Sequence, residues 1–336
     1  MGKKRKACCG CATFGALLLI GATASGVWFF TETAPTSTGP AEYVRFTKST
    51  HLNDGLQKFE SRRIVKNVLA ARIYASLTHR QTEIQPGTYE VKPGMTLSQL
   101  FEAIKNPMKQ MVRLPEGWWT ARMSKRLEER RVCSATDYLA AVAATTQNPR
   151  YRFAHETPNG EGFLFPDTYN LPPLTPAQDV VTLQLQTFEK KALPLLAGRT
   201  DIKRVLTIAS MVELEAGKDS ERPRIAGVIE NRLRAGMRLE LDATVLYALQ
   251  EWKVLSPGVV RTVKSPYNTY LHNGLPPGPI GSPGLKSISA ALHPEKHGYL
   301  YYVARPNSTH YFSATYSDHL ANIKKARAEW RAAGGK

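Results

Sequence analysis

The sequence predicts an α+β protein of three parts: a single N-terminal transmembrane helix, a small α/β module and a larger domain of mixed helices and strands. Three observations carry this. Residues 7–30 contain no charged side chain. A strand, a turn and an amphipathic helix follow one another closely around residues 85–104. The later half alternates helical periodicity with a Gly/Pro-rich loop and closes on an aromatic hairpin pattern.

The first element is the apolar run. Lys3, Lys4, Arg5 and Lys6 stand directly before Ala7 to Phe30. At about 1.5 Å of rise per residue the run crosses the hydrocarbon core as a helix, and its basic flank stays on the cytoplasmic side. The rest of the chain is then external. Ala22-Thr23-Ala24 has the small residues of a signal-peptide cleavage site, but the apolar stretch continues through Val27, Trp28, Phe29 and Phe30, which suits the outer interface of a retained helix. A lipid anchor would need a cysteine after the run, whereas Cys8, Cys9 and Cys11 lie at its start. The expected boundaries are a basic flank over 1–6, the membrane helix over 7–30, a linker over 31–42 rich in Thr, Pro and Ser, the small module over 43–110 and the larger domain over 111–336.

Composition agrees with a globular external part. Hydrophobic residues make up 42% of 336, enough for a real core. Only Cys133 lies beyond the apolar run, so no internal disulfide forms there and stability must come from packing. Setting aside the four basic side chains of the first thirty residues leaves 41 Lys and Arg against 28 Asp and Glu, a net charge of about +13. Such a field attracts polyanions. With the charge outside the cell, anionic lipid or wall polymer fits better than nucleic acid, and the basic residues are dispersed rather than clustered with stacking aromatics.

In the small module, Gln85 to Gly94 reads as a short strand between Pro-Gly turns. Thr96 with Gln99 forms a capping-box pattern, and Leu97, Leu100, Phe101 and Ile104 make a helical stripe. In the larger domain, Val112-Arg113-Leu114 precedes the turn Pro115-Glu116-Gly117 and a helix from Thr120 to Arg130. Gly160 to Tyr169 is a compact aromatic loop or strand. Thr175 with Pro176 opens a helix ending near Ala192. Further helices are expected over Val205–Ala216, Ala226–Arg234 and Asp242–Leu249, a hairpin over Tyr299–Phe312 and a last helix from Ser317. Eight of the twelve residues from Asn273 to Gly284 are Gly or Pro, which no regular element tolerates.

The strongest chemical signal lies in Val205–Ala216. At about 100° per residue, Val205, Ile208, Ala209, Val212 and Ala216 share a face. Glu213 and Glu215 flank that face on opposite sides, roughly 160° apart. They are no close carboxylate pair, but either one, desolvated at the edge of an apolar surface, can hold a proton near neutral pH. The loop with Tyr267, Asn268, Thr269 and Tyr270 offers aromatic faces and amides suited to carbohydrate. His293 and His297 have the spacing of helical metal ligands, yet Pro294 intervenes. No G-x-S-x-G, phosphate-binding loop or paired C-x-x-C is present, and neither a cofactor nor a metal is expected.

These residues also carry a resemblance. Glu161-Gly162-Phe163-Leu164-Phe165-Pro166-Asp167-Thr168-Tyr169, Ala209-Ser210-Met211-Val212-Glu213-Leu214-Glu215, Glu221-Arg222-Pro223, Asn231-Arg232-Leu233, Ser265-Pro266-Tyr267-Asn268-Thr269-Tyr270 and Gly274-Leu275-Pro276-Pro277-Gly278-Pro279-Ile280 stand in the order and spacing of one family. The chain closely resembles the YceG-like family of membrane-anchored endolytic murein transglycosylases. Leu214, Glu240 and Ala243 depart from its usual lysine, glutamine and proline.

The resemblance implies a LysM-like module at 43–110 and a catalytic domain at 111–336, cleaving peptidoglycan glycan strands between N-acetylmuramic acid and N-acetylglucosamine. It implies Glu213, the first acid of its motif, as the catalytic residue, with Asn231, Asp242, Tyr267, Asn268 and Tyr270 positioning substrate or supporting the acid. One carboxyl suffices, because the muramic acid C6 hydroxyl replaces the attacking water of an ordinary glycosidase. Single-pass insertion in the inner membrane, a role in ending strand growth, and peptidoglycan synthases (penicillin-binding proteins) as partners follow by analogy. A non-catalytic peptidoglycan-binding scaffold would keep the anchor and charge without needing Glu213.

Overall fold

The computed structural model describes residues 9–157, 159–256 and 258–334. The expected basic flank at 1–6 lies outside them. The chain divides into two compact units at Lys109, with Pro172–Leu174 belonging to the first.

The first unit opens with α1 (Cys9–Thr33), a 25-residue helix whose residues Leu17, Leu18, Leu19 and Ile20 are exposed. Taken over the described residues alone, no helix is long and apolar enough to cross a membrane. After it come β1 (Glu42–Phe46), β2 (Thr50–His51), α2 (Leu52–Glu60), α3 (Val68–Leu77), β3 (Glu83–Ile84), β4 (Gly87–Val91) and α4 (Leu97–Ala103). β1 pairs antiparallel with β4, setting Val44 opposite Tyr89, and β2 pairs with β3. The capping box forms: Gln99 N donates to Thr96 Oγ1 over 3.2 Å and Thr96 N to Gln99 Oε1 over 2.9 Å. It aims Leu97, Leu100, Phe101 and Ile104 into a core with Leu56, Phe59, Ile84 and Tyr89. The unit is α/β in make-up, with two helices, α2 and α3, that the sequence patterns did not announce.

In the second unit, β5 (Met111–Leu114) leads to α5 (Thr120–Glu129) and α6 (Ala135–Thr146). β6 (Asp167–Asn170) returns antiparallel to β5, so the aromatic Gly160–Tyr169 segment ends as a strand. α7 (Ala177–Lys191) begins one residue later than expected, with Pro176 at its N-cap. α8 (Ile202–Glu215), α9 (Arg222–Arg234) and α10 (Asp242–Leu249) follow. α11 (Leu285–Leu292), the hairpin β7 (Tyr301–Ala304) and β8 (His310–Ser313), and α12 (Tyr316–Ala332) complete the unit. Each sheet among the described residues is a two-stranded antiparallel ribbon, so the architecture is α+β.

The core sits around α8. Every residue from Val205 to Met211, together with Val212, is buried, so the helix has no free face until its last turn. α9, α10 and α11 pack on it. Its two buried hydroxyls are satisfied: Thr207 Oγ1 donates to Lys203 O, and Ser210 Oγ donates to Thr207 O while accepting Ile280 N over 3.0 Å. Ser210 thereby holds the Gly/Pro loop, which carries no regular element, against the helix.

Candidate active site

α8 is enclosed up to Val212, and in its last turn Glu213 and Glu215 leave it on opposite sides. Their surroundings differ in kind.

Glu215 opens onto a cavity of about 300 Å³ lined by Arg232, Glu240, Asp242, Tyr270 and Tyr302. α8, α9, α10, β7 and α12 build it, with the loop that carries Tyr270. β7 brings Tyr302, whose hydroxyl donates to Glu215 Oε2 over 3.0 Å. α9 brings Arg232, fixed by donating to the carbonyls of Leu300 over 2.6 Å and Leu239 over 2.7 Å. Asp242 begins α10 and accepts the Tyr270 hydroxyl over 2.7 Å at Oδ1. Burial pushes the Glu215 carboxyl up to about 7; Asp242 adds to this, while the Tyr302 bond and the Arg232 charge oppose it. The Tyr302 and Tyr270 hydroxyls are likewise held above the ordinary tyrosine range, first by burial and then by their carboxylate neighbours.

Glu213 is tied down at both oxygens. Oε1 pairs with Arg222 Nη1 at 3.0 Å, and Oε2 accepts Gly284 N over 3.0 Å. Arg222 also donates to Asp219 Oδ1 at 2.9 Å and to Ser287 Oγ. The side chains of Glu213 and Arg222 are only 7% and 10% exposed, so this is a buried ion pair. Glu116 stands beside it, raised above its ordinary value by burial and then by the Glu213 charge.

Of the expected positioning residues, Asp242 and Tyr270 meet in the Glu215 cavity. The other three lie elsewhere. Asn268 is fully buried and spends its amide inside its own loop, donating to Val260 O and Val263 O and accepting Tyr270 N. Asn231 donates to the carbonyls of His297 and Tyr299, joining α9 to the chain before β7. Tyr267 packs against Tyr247 with ring centres 4.7 Å apart. None of the three lines the Glu215 cavity. Arg232 and Tyr302 are cavity residues that sequence reasoning did not single out; Arg232 sits in the quoted Asn231-Arg232-Leu233 motif, whereas Tyr302 is one aromatic among many in its hairpin.

A third buried acid, Glu161, accepts Thr120 N at the start of α5 over 3.0 Å. Burial raises it to about 8. Among the described residues no group of three or more His, Cys, Asp or Glu is arranged to hold a metal.

This arrangement can be compared with known proteins. Residues 44–325 match the YceG-like family. The chain belongs to that family. Among YceG-like relatives, the endolytic murein transglycosylase of Bacillus subtilis is 38% identical over 164 residues, covering 47% of this chain and 46% of the relative. That of Streptococcus pneumoniae is 26% identical over 303 residues, covering 77% of this chain and 54% of the relative. The chain thus spans about half the length of these curated relatives. A solved yceG-like protein from Listeria monocytogenes superimposes with a TM-score of 0.55 at 28% identity, covering 85% of this chain and 99% of the other.

Proposed function

We propose that this YceG-like protein is an endolytic lytic transglycosylase that cleaves the β-1,4 bond between N-acetylmuramic acid and N-acetylglucosamine in nascent peptidoglycan, with Glu215 as its acid and base. The supporting observation is the pairing of one desolvated carboxyl with an open cavity. At neutral pH a group titrating near 7 is present in both protonation states, as an acid that later turns base requires. Glu213, the motif acid the resemblance implies, has both oxygens engaged by Arg222 and Gly284, so proton transfer would first have to break a buried ion pair. The geometry therefore favours Glu215 for the chemistry and Glu213 for holding the turn after α8.

The proton on Glu215 passes to the glycosidic oxygen as the bond from the muramic acid C1 breaks, freeing the N-acetylglucosamine hydroxyl. The muramic acid C6 hydroxyl then attacks C1, and its proton returns to Glu215, closing a 1,6-anhydro ring with no water consumed. Asp242, held by Tyr270, faces the positive charge that develops at the sugar ring, and Tyr302 orients the acid. No second carboxylate is needed to position water.

The placement we propose is single-pass in the inner membrane, with the N-terminus cytoplasmic and the rest periplasmic. The sequence supports it: the run from Ala7 to Thr31 carries no charge and directly follows the basic Lys3, Lys4, Arg5 and Lys6. The first unit is read as a LysM-like glycan-binding module on its strand, turn and capped helix. Tethering confines cleavage to strands near the bilayer, which favours a role in ending strand growth beside peptidoglycan synthases.

The test is to incubate the full chain and its Glu215→Gln and Glu213→Gln variants with purified peptidoglycan and count 1,6-anhydromuramic ends by mass spectrometry. Loss of a proton-transfer group lowers the rate by about 10²–10⁴, and that loss is expected for Glu215→Gln. The greater loss at Glu213 would transfer the role to that acid. Reducing ends would mean hydrolysis, and binding without new ends would mean a scaffold.

A further inference from the structure

At the opposite end of α10 from Asp242, the second unit builds another concave surface, one that takes no part in the acid chemistry. α5 presents Arg122 among three indoles: its guanidinium carbon lies 4.4 Å from the ring centre of Trp118, 6.0 Å from Trp119 and 5.8 Å from Trp252. Trp119 is the buried floor, set edge-on to Tyr247 at 6.3 Å and tilted against Trp252 at 6.1 Å. Lys125 and Lys253 stand at the rim of the resulting cavity, about 460 Å³ in volume.

Two of its features remain open to a ligand. Arg122 has no carboxylate partner among the described residues, and burial followed by the Arg126 charge holds its pKa below the usual arginine range. The acid at the rim, Glu251, is taken by Lys253. A guanidinium partly withdrawn from water and left without a counter-ion is an uncompensated charge, which an incoming anion relieves through charge-assisted hydrogen bonds. Trp252, meanwhile, is 55% exposed. An indole face in that position covers flat apolar surface, such as the C–H face of a sugar ring.

We infer that this cavity binds a carboxylate carried on the glycan strand, that of a stem peptide, with a sugar ring against Trp252 and the carboxylate on Arg122. The inference rests on the reading of peptidoglycan as substrate. The eight residues of α10 separate the cavity from Asp242 by about 12 Å along the helix axis, so its occupant belongs to the same strand but not to the sugar being cleaved. Such a site holds strands whose stem peptides carry free carboxylates and disfavours those whose peptide carboxylates are amidated.

The experiment compares kcat/KM of the full chain on strands whose stem-peptide carboxylates are free and on the same strands with those carboxylates amidated. A charge-assisted contact supports a preference of about tenfold for the strands with free carboxylates. Trp252→Ala and Arg122→Gln should each collapse that ratio towards one, with Arg122→Lys between. A parent without preference, or variants that keep it, overturns the inference. In parallel, a soluble disaccharide peptide is titrated into the full chain while tryptophan fluorescence is followed. Saturable quenching is expected, weakened when the peptide carboxylates are amidated; equal or absent quenching overturns the inference. If the parent makes no anhydro ends on either substrate, the transglycosylase reading fails instead, and the titration still decides on the carboxylate site.

Discussion

Tyr302 and Glu215 are joined by a 3.0 Å hydrogen bond from the tyrosine hydroxyl to Oε2, which ties the β7–β8 hairpin to the last residue of α8. The two residues are far apart in sequence, yet the bond sets both the orientation and the proton affinity of the acid. It stabilises the charged carboxylate and so works against the burial that raises Glu215 to about 7.

Removing that bond makes a prediction about pH. In the role proposed for Glu215 a general acid must start protonated, so activity falls as pH rises through its pKa. Tyr302→Phe takes away an interaction with the charged form, so the pKa rises further and the alkaline fall in kcat moves to higher pH. One hydrogen bond to a charged group corresponds to a shift of about one pH unit. A pH–rate profile of the release of anhydro ends measures it; a fall at the parent's pH, or at lower pH, would show that Tyr302 does not act through this acid.

Glu161 predicts a pH-dependent stability of its own. Its carboxyl rises from an ordinary 4.5 to about 8 on folding because it is buried, and Oε2 has no hydrogen-bond partner. The folded protein therefore keeps a proton that the unfolded chain has lost. Its contribution to stability is full below about 4.5 and disappears as pH rises to about 8. Glu161→Gln keeps an acceptor for Thr120 N and removes the titration, so the drop in Tm between pH 5 and pH 8 should shrink by several degrees. An unchanged drop in thermal melts would show that Glu161 is ionised in the folded state.

The way these acids divide explains what the sequence could and could not reveal. Periodicity alone put Glu213 and Glu215 on opposite sides of α8, and they are there. Choosing between them required the partners, and Arg222, Gly284 and Tyr302 lie outside the motif, two of them about 70 or more residues further on. The local signals that were clear were those with local physics: the Thr96–Gln99 cap, the Gly/Pro loop and α10, whose bounds match the expected Asp242–Leu249. α6 was missed because its Ala- and Thr-rich sequence shows little periodicity of its own, and α11 because it starts directly at the end of the Gly/Pro loop and is only two turns long; they gain their order from packing on α7 and α8 respectively. Asn268 looked like a sugar ligand because an amide among aromatics suits carbohydrate; its burial gives it to the loop instead.

The Glu213–Arg222 pair makes a prediction about stability. With both side chains almost wholly buried, Arg222→Ala leaves a carboxylate without its partner, a loss of about 3–5 kcal/mol. Replacing both, by Arg222→Met with Glu213→Leu, removes the charge as well as the partner and should restore most of that loss. Chemical denaturation of Arg222→Met, Glu213→Leu and the double closes the cycle. Additive effects would mean that Arg222 acts through Asp219 and Ser287 and not through Glu213.

The last prediction concerns how α9 is seated. Gly227 lies in the middle of that helix, where glycine is ordinarily unfavourable. A Cβ built there would stand 2.4 Å from Glu295 O and 2.6 Å from His297 Nε2, closer than atoms can pack. The glycine is thus what lets the 293–297 segment lie against α9, and that segment leads into the hairpin carrying Tyr302. Gly227→Ala should lower stability by about 1–3 kcal/mol. It should also lower kcat, because displacing the segment shifts Tyr302 away from Glu215. Gly236→Ala, at a glycine with open space around it but a left-handed φ of 67°, is the control for backbone strain without crowding. A loss of activity at Gly227 matched by an equal loss at Gly236 would remove the seating argument, since only the first position has a neighbour to displace.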